Sequence, residues 1–314
     1  YGGAKGGVKI NPFDYSQEEL MRISKGYVGS MIKYFGEDKD IPAPDMGTNS
    51  KIMDWMVDAY QKKGKIHTNS VFTGKSLECG GSKGRTEATG FGVVECVKHW
   101  AQKNGFDLCG KTYIIQGFGN VGSNTGILLS RLGMICVGVA DHTRCLKSTE
   151  GFNVYKLKDH VQKEKSLLNY DSGEEIDKKA FFSMDCDIII PAAKELEICG
   201  DEAKDLKCKM IVEAANGPVD LEAEKICYQK KIDIIPDILA NSGGVVVSYY
   251  EWLQNKRCEY WSEDEVLSKL TEKMRDTFNK IYIESKNKNI TMREACYIYA
   301  YKKIESVVQK KQVF

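Results

Sequence analysis

The chain has 314 residues, 42% hydrophobic and 28% charged, a composition typical of a globular protein of about two domains. Its 45 basic and 44 acidic side chains nearly cancel, which argues against a dedicated nucleic-acid-binding or membrane-surface protein. The 11 cysteines form no CxxC pair and the 4 histidines are dispersed, so we expect neither a metal site nor a disulfide framework. Reduced thiols suit an intracellular compartment, and no apolar run is long enough to span a bilayer.

The first part of the chain has helical periodicity. Residues 14–35 carry apolar side chains at helical spacing, with Asp14 or Ser16 as the candidate N-cap. The following loop, 41–50, contains two prolines and one glycine, which interrupt regular structure. Residues 50–62 predict a second helix.

The middle of the chain changes to short apolar runs rich in β-branched residues, which are typical of strands buried on both faces of a parallel sheet. The predicted strands are 112–116, 135–140, 187–191, 210–213 and 233–236. Helical stretches at 121–132 and 221–230 lie between them, and alternating strands and helices indicate a doubly wound sheet. For the longer gap, 141–186, we expect an extra helix and irregular connections. After residue 244 the pattern is helical again.

The sequence GFGNVG follows the first predicted strand directly and opens a helix, which is the context that a dinucleotide-binding G-x-G-x-x-G motif requires. In this interpretation Gly117 permits the tight turn, Gly119 lets the pyrophosphate approach the backbone and Gly122 permits close helix–strand packing. A plain glycine turn is the alternative. The cofactor contacts expected from this motif are Gly117, Phe118, Gly119, Asn120, Val121 and Gly122.

The choice between NAD and NADP depends on the end of the second predicted strand. Asp141 stands there, and an acid at this point accepts hydrogen bonds from the ribose hydroxyls and repels a 2′-phosphate. This favours NAD. Arg144 follows closely and would accommodate a 2′-phosphate, so NADP is the alternative. Otherwise Arg144 points to solvent.

The opening sequence YGGAKGG surrounds Lys5 with four glycines. The residues alone leave two interpretations open. Lys5 is either a surface cation in a flexible tail or an amine in a cleft whose pKa is lowered by poor solvation.

Ordered motifs along the chain carry a resemblance to a known family. They read GGAKGGVKINP, PAPDMGT, GGSKGRTEATG, GFGNVG, EAANGP and NSGGVVVSYYEW. Together they closely resemble the glutamate dehydrogenases of the hexameric Glu/Leu/Phe/Val dehydrogenase family, over essentially the whole chain. The residues of these motifs, especially of the first, most resemble those of the animal mitochondrial type.

The resemblance implies an α/β fold with a Rossmann-like doubly wound dinucleotide domain inserted in a discontinuous α/β substrate domain. The dinucleotide domain would span 82–248, and the substrate and oligomerisation domain would comprise 1–81 and 249–314. The family has a further segment upstream of the GGAKGG motif, with two lysines that bind the substrate carboxylates. Because this sequence lacks them, we expect weak glutamate binding and incomplete oligomer contacts. It also lacks the antenna insertion on which purine-nucleotide regulation of the animal enzymes depends.

The resemblance also implies catalytic roles. Lys5 matches the lysine that activates the attacking water and polarises the substrate. Asp45 matches the acid/base aspartate, although its loop also suits an Asx turn or a helix N-cap.

Further positions match substrate-binding or cofactor-binding residues. Ser248 would bond the side-chain carboxylate of glutamate, and Val245 would pack beside it. Arg85 would lie near the substrate and Thr89 near the nicotinamide carboxamide, although this stretch also suits a helix start with Thr86 or Thr89 in the first turn. Asn216 and Asn241 would contact the nicotinamide ribose or the substrate, although Asn-Gly alone is usually a turn. The expected cofactor contacts also include Ala192 and Ala193.

The implied reaction is the reversible oxidative deamination of L-glutamate to 2-oxoglutarate and ammonium with NAD or NADP. The implied assembly is a homohexamer in the mitochondrial matrix or the cytoplasm, without nucleic-acid or membrane partners. A dehydrogenase for leucine, phenylalanine or valine and a non-catalytic NAD-binding subunit are the alternatives.

Overall fold

The computed structural model describes residues 4–64 and 67–311. Gly2 and Gly3 of the opening motif lie outside the described residues. The chain divides into two compact units, each formed by two separate segments. The first unit is Tyr1–Thr86 with Gly244–Lys269, and the second is Glu87–Gly243 with Leu270–Phe314.

The helices of the described residues are α1 Gln17–Met31, α2 Ser50–Gly64, α3 Ala88–Asn104, α4 Asn120–Arg131, α5 Val154–Glu164, α6 Lys178–Phe182, α7 Gly200–Asp205, α8 Leu221–Gln229, α9 Asp237–Ala240, α10 Gly243–Arg257, α11 Glu263–Lys288 and α12 Met292–Lys311. Short 3₁₀ turns occupy Pro12–Asp14 and Leu77–Cys79. Only residues 258–262 separate α10 from α11, in keeping with the expected lack of an antenna. Within 4–64 and 67–311, no helix is long and apolar enough to cross a membrane.

The strands are β1 Thr112–Gln116, β2 Ile135–Ala140, β3 Cys145–Lys147, β4 Glu174–Ile176, β5 Ile188–Pro191, β6 Met210–Val212 and β7 Asp233–Ile235. They form one sheet in the order β4-β3-β2-β1-β5-β6-β7. Strands β2, β1, β5, β6 and β7 are parallel, whereas β3 and β4 are added antiparallel at one edge. The strand order reverses between β1 and β5, which is where open α/β sheets bind their ligands.

The five predicted parallel strands are confirmed, with ends that differ by at most one residue. The buried runs of β1 and β5 explain this success, because strands covered on both faces are marked by unbroken apolar sequence. The expectation for 141–186 was incomplete. It contains two helices, α5 and the short α6, where one was expected, and also β3 and β4, which are three residues long and partly polar.

The first unit is built on α1, α2 and α10. Helix α1 begins later than predicted because Ser16 is its N-cap, in a reciprocal capping box with Glu19. The apolar faces of α1 and α2 bury a core around Val28, Met56 and Phe72. Among the described residues of this unit, regular strand pairing is limited to an isolated bridge between residues 35 and 40, although an α/β substrate domain was expected.

The C-terminal segment is divided differently from the expected domains. Residues from Leu270 onward belong to the second unit, whereas the expected boundary assigned all of 249–314 to the first. The physical reason is long-range packing. Phe278 of α11 is fully buried and lies beside His99 of α3, and Arg293 of α12 pairs with Glu213 after β6.

Candidate active site

Lys5 and Asp45, the two predicted catalytic residues, contact each other in the first unit. Lys5 Nζ donates to Asp45 Oδ2 at 2.8 Å. Both side chains are largely exposed, Lys5 at 89% and Asp45 at 72%. The structure therefore places Lys5 against a carboxylate in solvent, and it does not provide the poor solvation on which the cleft interpretation depended.

Asp45 also closes a turn. Its Oδ1 accepts from Met46 N at 2.8 Å, and its backbone carbonyl accepts from Thr48 N at 2.9 Å. The turn interpretation and the contact with Lys5 therefore hold together. The hydrogen bond from Lys5, followed by that from Met46 N, lowers the pKa of Asp45, so this carboxylate is ionised at neutral pH.

Arg85 and Ser248 form a second predicted pair in the same unit. Arg85 Nε donates to Ser248 Oγ at 3.0 Å, and Ser248 is 5% exposed. Val245 lies three residues before Ser248 on α10, hence on the same helix face, and it is exposed. Desolvation lowers the pKa of Arg85, and the negative charge of Glu251 opposes that effect. Arg85 is thus a partly desolvated cation beside a hydroxyl, a combination suited to a carboxylate ligand.

Part of the first unit that supports Ser248 was not predicted. Glu251, one turn further along α10, is fully buried and pairs with the buried Lys75 at 2.7 Å. Its carboxylate also accepts from the backbone N–H groups of Gly74 and Lys75. This pair ties α10 to the loop before Arg85. Sequence spacing gave no signal for it, because 176 residues separate the partners.

The glycine motif of the second unit forms the expected strand–turn–helix. Gly117 has φ +94°, a conformation that favours glycine. A Cβ on Gly122 would overlap the carbonyl oxygen of Gly117 and lie 3.0 Å from its carbonyl carbon. By contrast, a Cβ on Gly119 would meet no atom within 4 Å. The backbone of the turn is therefore closely packed at Gly122, whereas the space beside Gly119 is free of protein atoms.

These features fit the pyrophosphate of a dinucleotide. Gly119 is the N-cap of α4, and as a glycine it has no side chain to cap the first turn. The first backbone N–H groups of a helix and its dipole favour an anion. Phe118 is buried beneath the turn, whereas Asn120 is exposed and Val121 half-buried at the start of α4.

Ala192 and Ala193 lie against this turn, and Thr89 lies on a helix that packs against α4. A Cβ on Gly117 would lie 2.6 Å from Ala193 N and 2.7 Å from the carbonyl carbon of Ala192. Thr89 is in the first turn of α3, and the neighbouring Gly90 packs against the backbone of α4. The helix start that this stretch suggested is therefore present, with Glu87 as the N-cap and Thr89 in the first turn.

Asp141 lies beside the glycine turn, because Gly117 N donates to Ala140 O at 2.6 Å. Its Oδ1 accepts from Thr143 N and Oγ1 at 2.7 and 2.6 Å, and its Oδ2 accepts from Leu167 N at 2.6 Å. Burial acts to raise the pKa of Asp141, but these hydrogen bonds together lower it. The carboxylate is therefore ionised, with Oδ2 carrying one described hydrogen bond.

Asn216 and Asn241 lie together at the same edge of the sheet. Asn241 Nδ2 donates to Asn216 Oδ1 at 2.7 Å, and both follow elements that end at the carboxyl edge, β6 and α9. Asp237 supports their loop, since its Oδ2 accepts from Gly217 N at 2.8 Å. The expected Asn-Gly turn is also present, with Gly217 at φ +54°.

Sequence reasoning missed the charged cluster beneath this loop, which we call the Arg293 cluster. It consists of Arg293, Glu213, Glu224 and Asp237. Arg293 donates from Nη2 to Glu213, from Nε to Glu224 and from Nη1 to Asp237, at 2.6, 2.9 and 2.9 Å. The sequence carried one weak signal, which is that the acidic Glu213 directly precedes the loop that contains Asn216. In the described part of the chain, no group of three His, Cys, Asp or Glu side chains has the arrangement of a metal site.

Two family profiles match the chain. Residues 80–311 match the sequence profile described as Glutamate/Leucine/Phenylalanine/Valine dehydrogenase. Residues 1–62 match the profile described as Glu/Leu/Phe/Val dehydrogenase, dimerisation domain.

Individual relatives cover nearly the whole chain. The chain is 42% identical to an NAD-specific glutamate dehydrogenase of Staphylococcus aureus (strain COL), over 96% of this chain and 73% of the relative. It is 41% identical to the NAD-specific glutamate dehydrogenase of Clostridioides difficile, over 98% and 75% of the two chains. These relatives are bacterial and do not support the mitochondrial alternative.

The fold is similar to that of solved enzymes. The glutamate dehydrogenase of Peptoniphilus asaccharolyticus superposes with a TM-score of 0.86 at 38% identity, over 100% of this chain and 76% of that one. A hetero-hexameric glutamate dehydrogenase of Thermus thermophilus superposes with a TM-score of 0.92 at 28% identity, over 97% and 72%. With the confirmed α/β fold and the glycine turn, these matches show that the chain belongs to the Glu/Leu/Phe/Val dehydrogenase family.

Proposed function

We propose that this protein is an NAD-dependent glutamate dehydrogenase, which converts L-glutamate reversibly to 2-oxoglutarate and ammonium. The observation that carries the proposal is the 2.8 Å contact between Lys5 and Asp45, because an amine and a carboxylate are the two groups that this chemistry needs. The names of the relatives at 41–42% identity support the same reaction.

The substrate preference rests on Arg85 and Ser248. A desolvated guanidinium beside a buried hydroxyl offers hydrogen bonds and charge to a carboxylate, which a branched or aromatic side chain lacks. A site built to bond a polar group rejects apolar analogues strongly, since its buried polar groups would otherwise stay unpaired. Val245 would pack against the methylene groups of glutamate. This supports glutamate over leucine, phenylalanine or valine.

Asp45 and Lys5 carry the proton transfers in the proposed mechanism. Asp45, ionised because its pKa is lowered, takes a proton from the substrate amine as the Cα–N bond becomes an imine. Lys5 polarises the substrate and activates the water that adds to the imine carbon. Asp45 returns its proton to the amino nitrogen, so the C–N bond breaks with ammonia as the leaving group, and the remaining hydroxyl loses its proton to give 2-oxoglutarate.

The second unit would hold the cofactor, which supplies the acceptor for the hydride from Cα. The turn from Gly117 to Gly122 would bind the pyrophosphate through backbone N–H groups. Asp141 would accept hydrogen bonds from the adenosine ribose, and this acid together with the NAD-specific relatives supports NAD. Thr89, Ala192, Ala193, Asn216 and Asn241 would position the nicotinamide half.

We also propose that the protein is an intracellular homo-oligomer. The match of residues 1–62 to a dimerisation domain supports subunit association, and the hexamer is the assembly that the family resemblance implies. Free thiols at all eleven cysteines suit a reducing compartment. As functional domains we retain the substrate-binding and dinucleotide-binding division, with the C-terminal segment from Leu270 grouped as the compact units indicate.

An initial-rate assay of the full-length protein tests the proposal. Ammonium and 2-oxoglutarate are supplied with NADH, and branched and aromatic oxo acids replace 2-oxoglutarate as controls. We expect fast NADH oxidation with 2-oxoglutarate alone. Turnover confined to a branched or aromatic oxo acid would favour the related dehydrogenases, and NADH binding without any turnover would favour a non-catalytic subunit.

A further inference from the structure

Arg144 is held directly beside the acid expected to bind the adenosine ribose. Asp141 N donates to Arg144 O at 3.0 Å, and Arg144 N donates to Asp141 Oδ1 at 3.2 Å. Asp141 itself is fixed next to the glycine turn through Ala140. A guanidinium in this place would be a natural ligand for the 2′-phosphate of NADP, because arginine binds phosphate through paired N–H groups.

The guanidinium of Arg144 is nevertheless engaged elsewhere. Its Nη2 donates to Glu175 Oε2 at 2.6 Å, and its Nη1 donates to Tyr170 O at 3.4 Å. The side chain is only 19% exposed, and its buried Nε has no hydrogen-bond partner among the described residues. The guanidinium is therefore turned toward Glu175, although this orientation leaves its Nε donor buried without an acceptor among the described residues.

We propose that Glu175 is a specificity-determining residue that withholds Arg144 from a 2′-phosphate and so keeps the enzyme selective for NAD. This inference rests on the proposed function, which it deepens. With Glu175 in place, a 2′-phosphate meets the charges of Asp141 and Glu175 and a guanidinium already bound. Without the Glu175 charge, Arg144 is free to turn and neutralise the phosphate.

Strand β4, which carries Glu175, also provides a matched control. Glu174, the preceding residue of β4, pairs with Lys147 at 3.2 Å and is 69% exposed, against 59% for Glu175. Lys147 pairs in register with Gly138, further from the end of β2 than Cys145, which pairs with Ala140. Glu174→Gln therefore removes the carboxylate partner of Lys147, as Glu175→Gln does for Arg144, but further from Asp141.

The test measures dissociation constants for NADH and NADPH by fluorescence titration in the full-length protein. It compares wild type, Glu175→Gln, Glu174→Gln and the double variant Glu175→Gln with Arg144→Met. We expect Glu175→Gln to improve NADPH binding relative to NADH about tenfold, Glu174→Gln to stay within about twofold of wild type, and the double variant to lose the gain.

The outcomes separate this inference from the proposed function. Unchanged preference in Glu175→Gln, with NADH still bound, overturns the role of Glu175 and leaves the dehydrogenase assignment intact. An equal gain in the double variant overturns the role of Arg144. If wild type binds neither nucleotide, the proposed function itself fails, and the inference fails with it.

Discussion

Arg293 on α12 donates to Glu213, the residue directly after β6, through an Nη2–Oε1 contact of 2.6 Å. Glu213 is fully buried and Arg293 is 17% exposed. The same guanidinium holds Asp237, whose other oxygen accepts from the backbone of Gly217. The C-terminal helix is therefore connected through one side chain to the loop that carries Asn216.

Replacing Arg293 by methionine should both destabilise the protein and weaken cofactor binding. Removing one partner of a buried ion pair leaves uncompensated charge, so we expect a loss of about 3 kcal/mol in unfolding free energy. Asp237 would no longer be held against Gly217, so the loop that carries Asn216 would be less well positioned. We expect NADH to lose about 1.4 kcal/mol of binding free energy, which corresponds to a rise of about tenfold in its KM. Denaturant unfolding and initial rates measure the two effects. Arg275→Met is the control, since Arg275 is about half exposed and pairs with its neighbour Asp276. Destabilisation with an unchanged KM would contradict the positioning role.

The same cluster should make stability depend on pH. Burial raises the pKa of Glu213 to about 7 from its ordinary value of 4.5, against the opposing effect of Arg293. Between these values the folded protein binds the proton and the unfolded chain does not, so the contribution of Glu213 to stability falls as pH rises from 4.5 to about 7. Unfolding free energies of wild type and Glu213→Gln, measured across this range, should therefore diverge in slope. Parallel profiles would show that Glu213 does not titrate there.

Lys5→Met and Asp45→Asn should abolish turnover without affecting folding. An exposed ion pair contributes less than about 1 kcal/mol to stability, so Tm should hardly change. We expect turnover with 2-oxoglutarate to fall by at least about a hundredfold, because acid–base groups contribute effects of this size. NADH binding should remain. Lys9→Met, at another exposed lysine of the same segment, is the matched control. Full activity of either site variant would contradict the catalytic assignment.

Two glycines of the cofactor turn should respond differently to alanine. At Gly119 the added methyl group meets no protein atom within 4 Å, so the protein should fold normally while NADH binding weakens about tenfold or more. At Gly122 the methyl group overlaps the Gly117 carbonyl, so unfolding free energy should drop by about 2 kcal/mol, as for an overpacked site. Thermal unfolding and NADH titration of both variants distinguish the effects. Normal NADH binding by Gly119→Ala would place the pyrophosphate elsewhere.

Ser248→Ala should reduce the preference for 2-oxoglutarate. The substitution removes the acceptor for Arg85 Nε and leaves this partly desolvated cation without its hydroxyl partner. We expect kcat/KM for 2-oxoglutarate to fall about tenfold to a hundredfold, with a smaller change for apolar oxo acids. Ser24→Ala is the control, because the Ser24 hydroxyl donates back to Leu20 O within α1. An equal loss for every oxo acid would show that Ser248 supports the fold and does not select the substrate.

The polar environment of the predicted residues could be foreseen only in part. The sequence identified Asp141 as an acid after a buried strand, and its position beside the glycine turn follows from parallel strand pairing. It could not place Glu175 against Arg144, because β4 is a short, mostly polar edge strand recognised only by its pairing with β3. The residues alone left open whether Lys5 is a surface cation or a poorly solvated amine, and the structure places it in solvent against Asp45.

The alternating strands and helices, the glycine turn from Gly117 to Gly122 and the family could all be predicted from the residues, because these depend on local periodicity and on residue types at fixed spacing. Long-range packing, in contrast, brings together the Arg293 cluster, the contact of Arg144 with Glu175 and the residues from Leu270 onward within the second unit. Ion pairs join residues far apart in the chain, and local propensity does not encode which charged side chains meet once the core has closed.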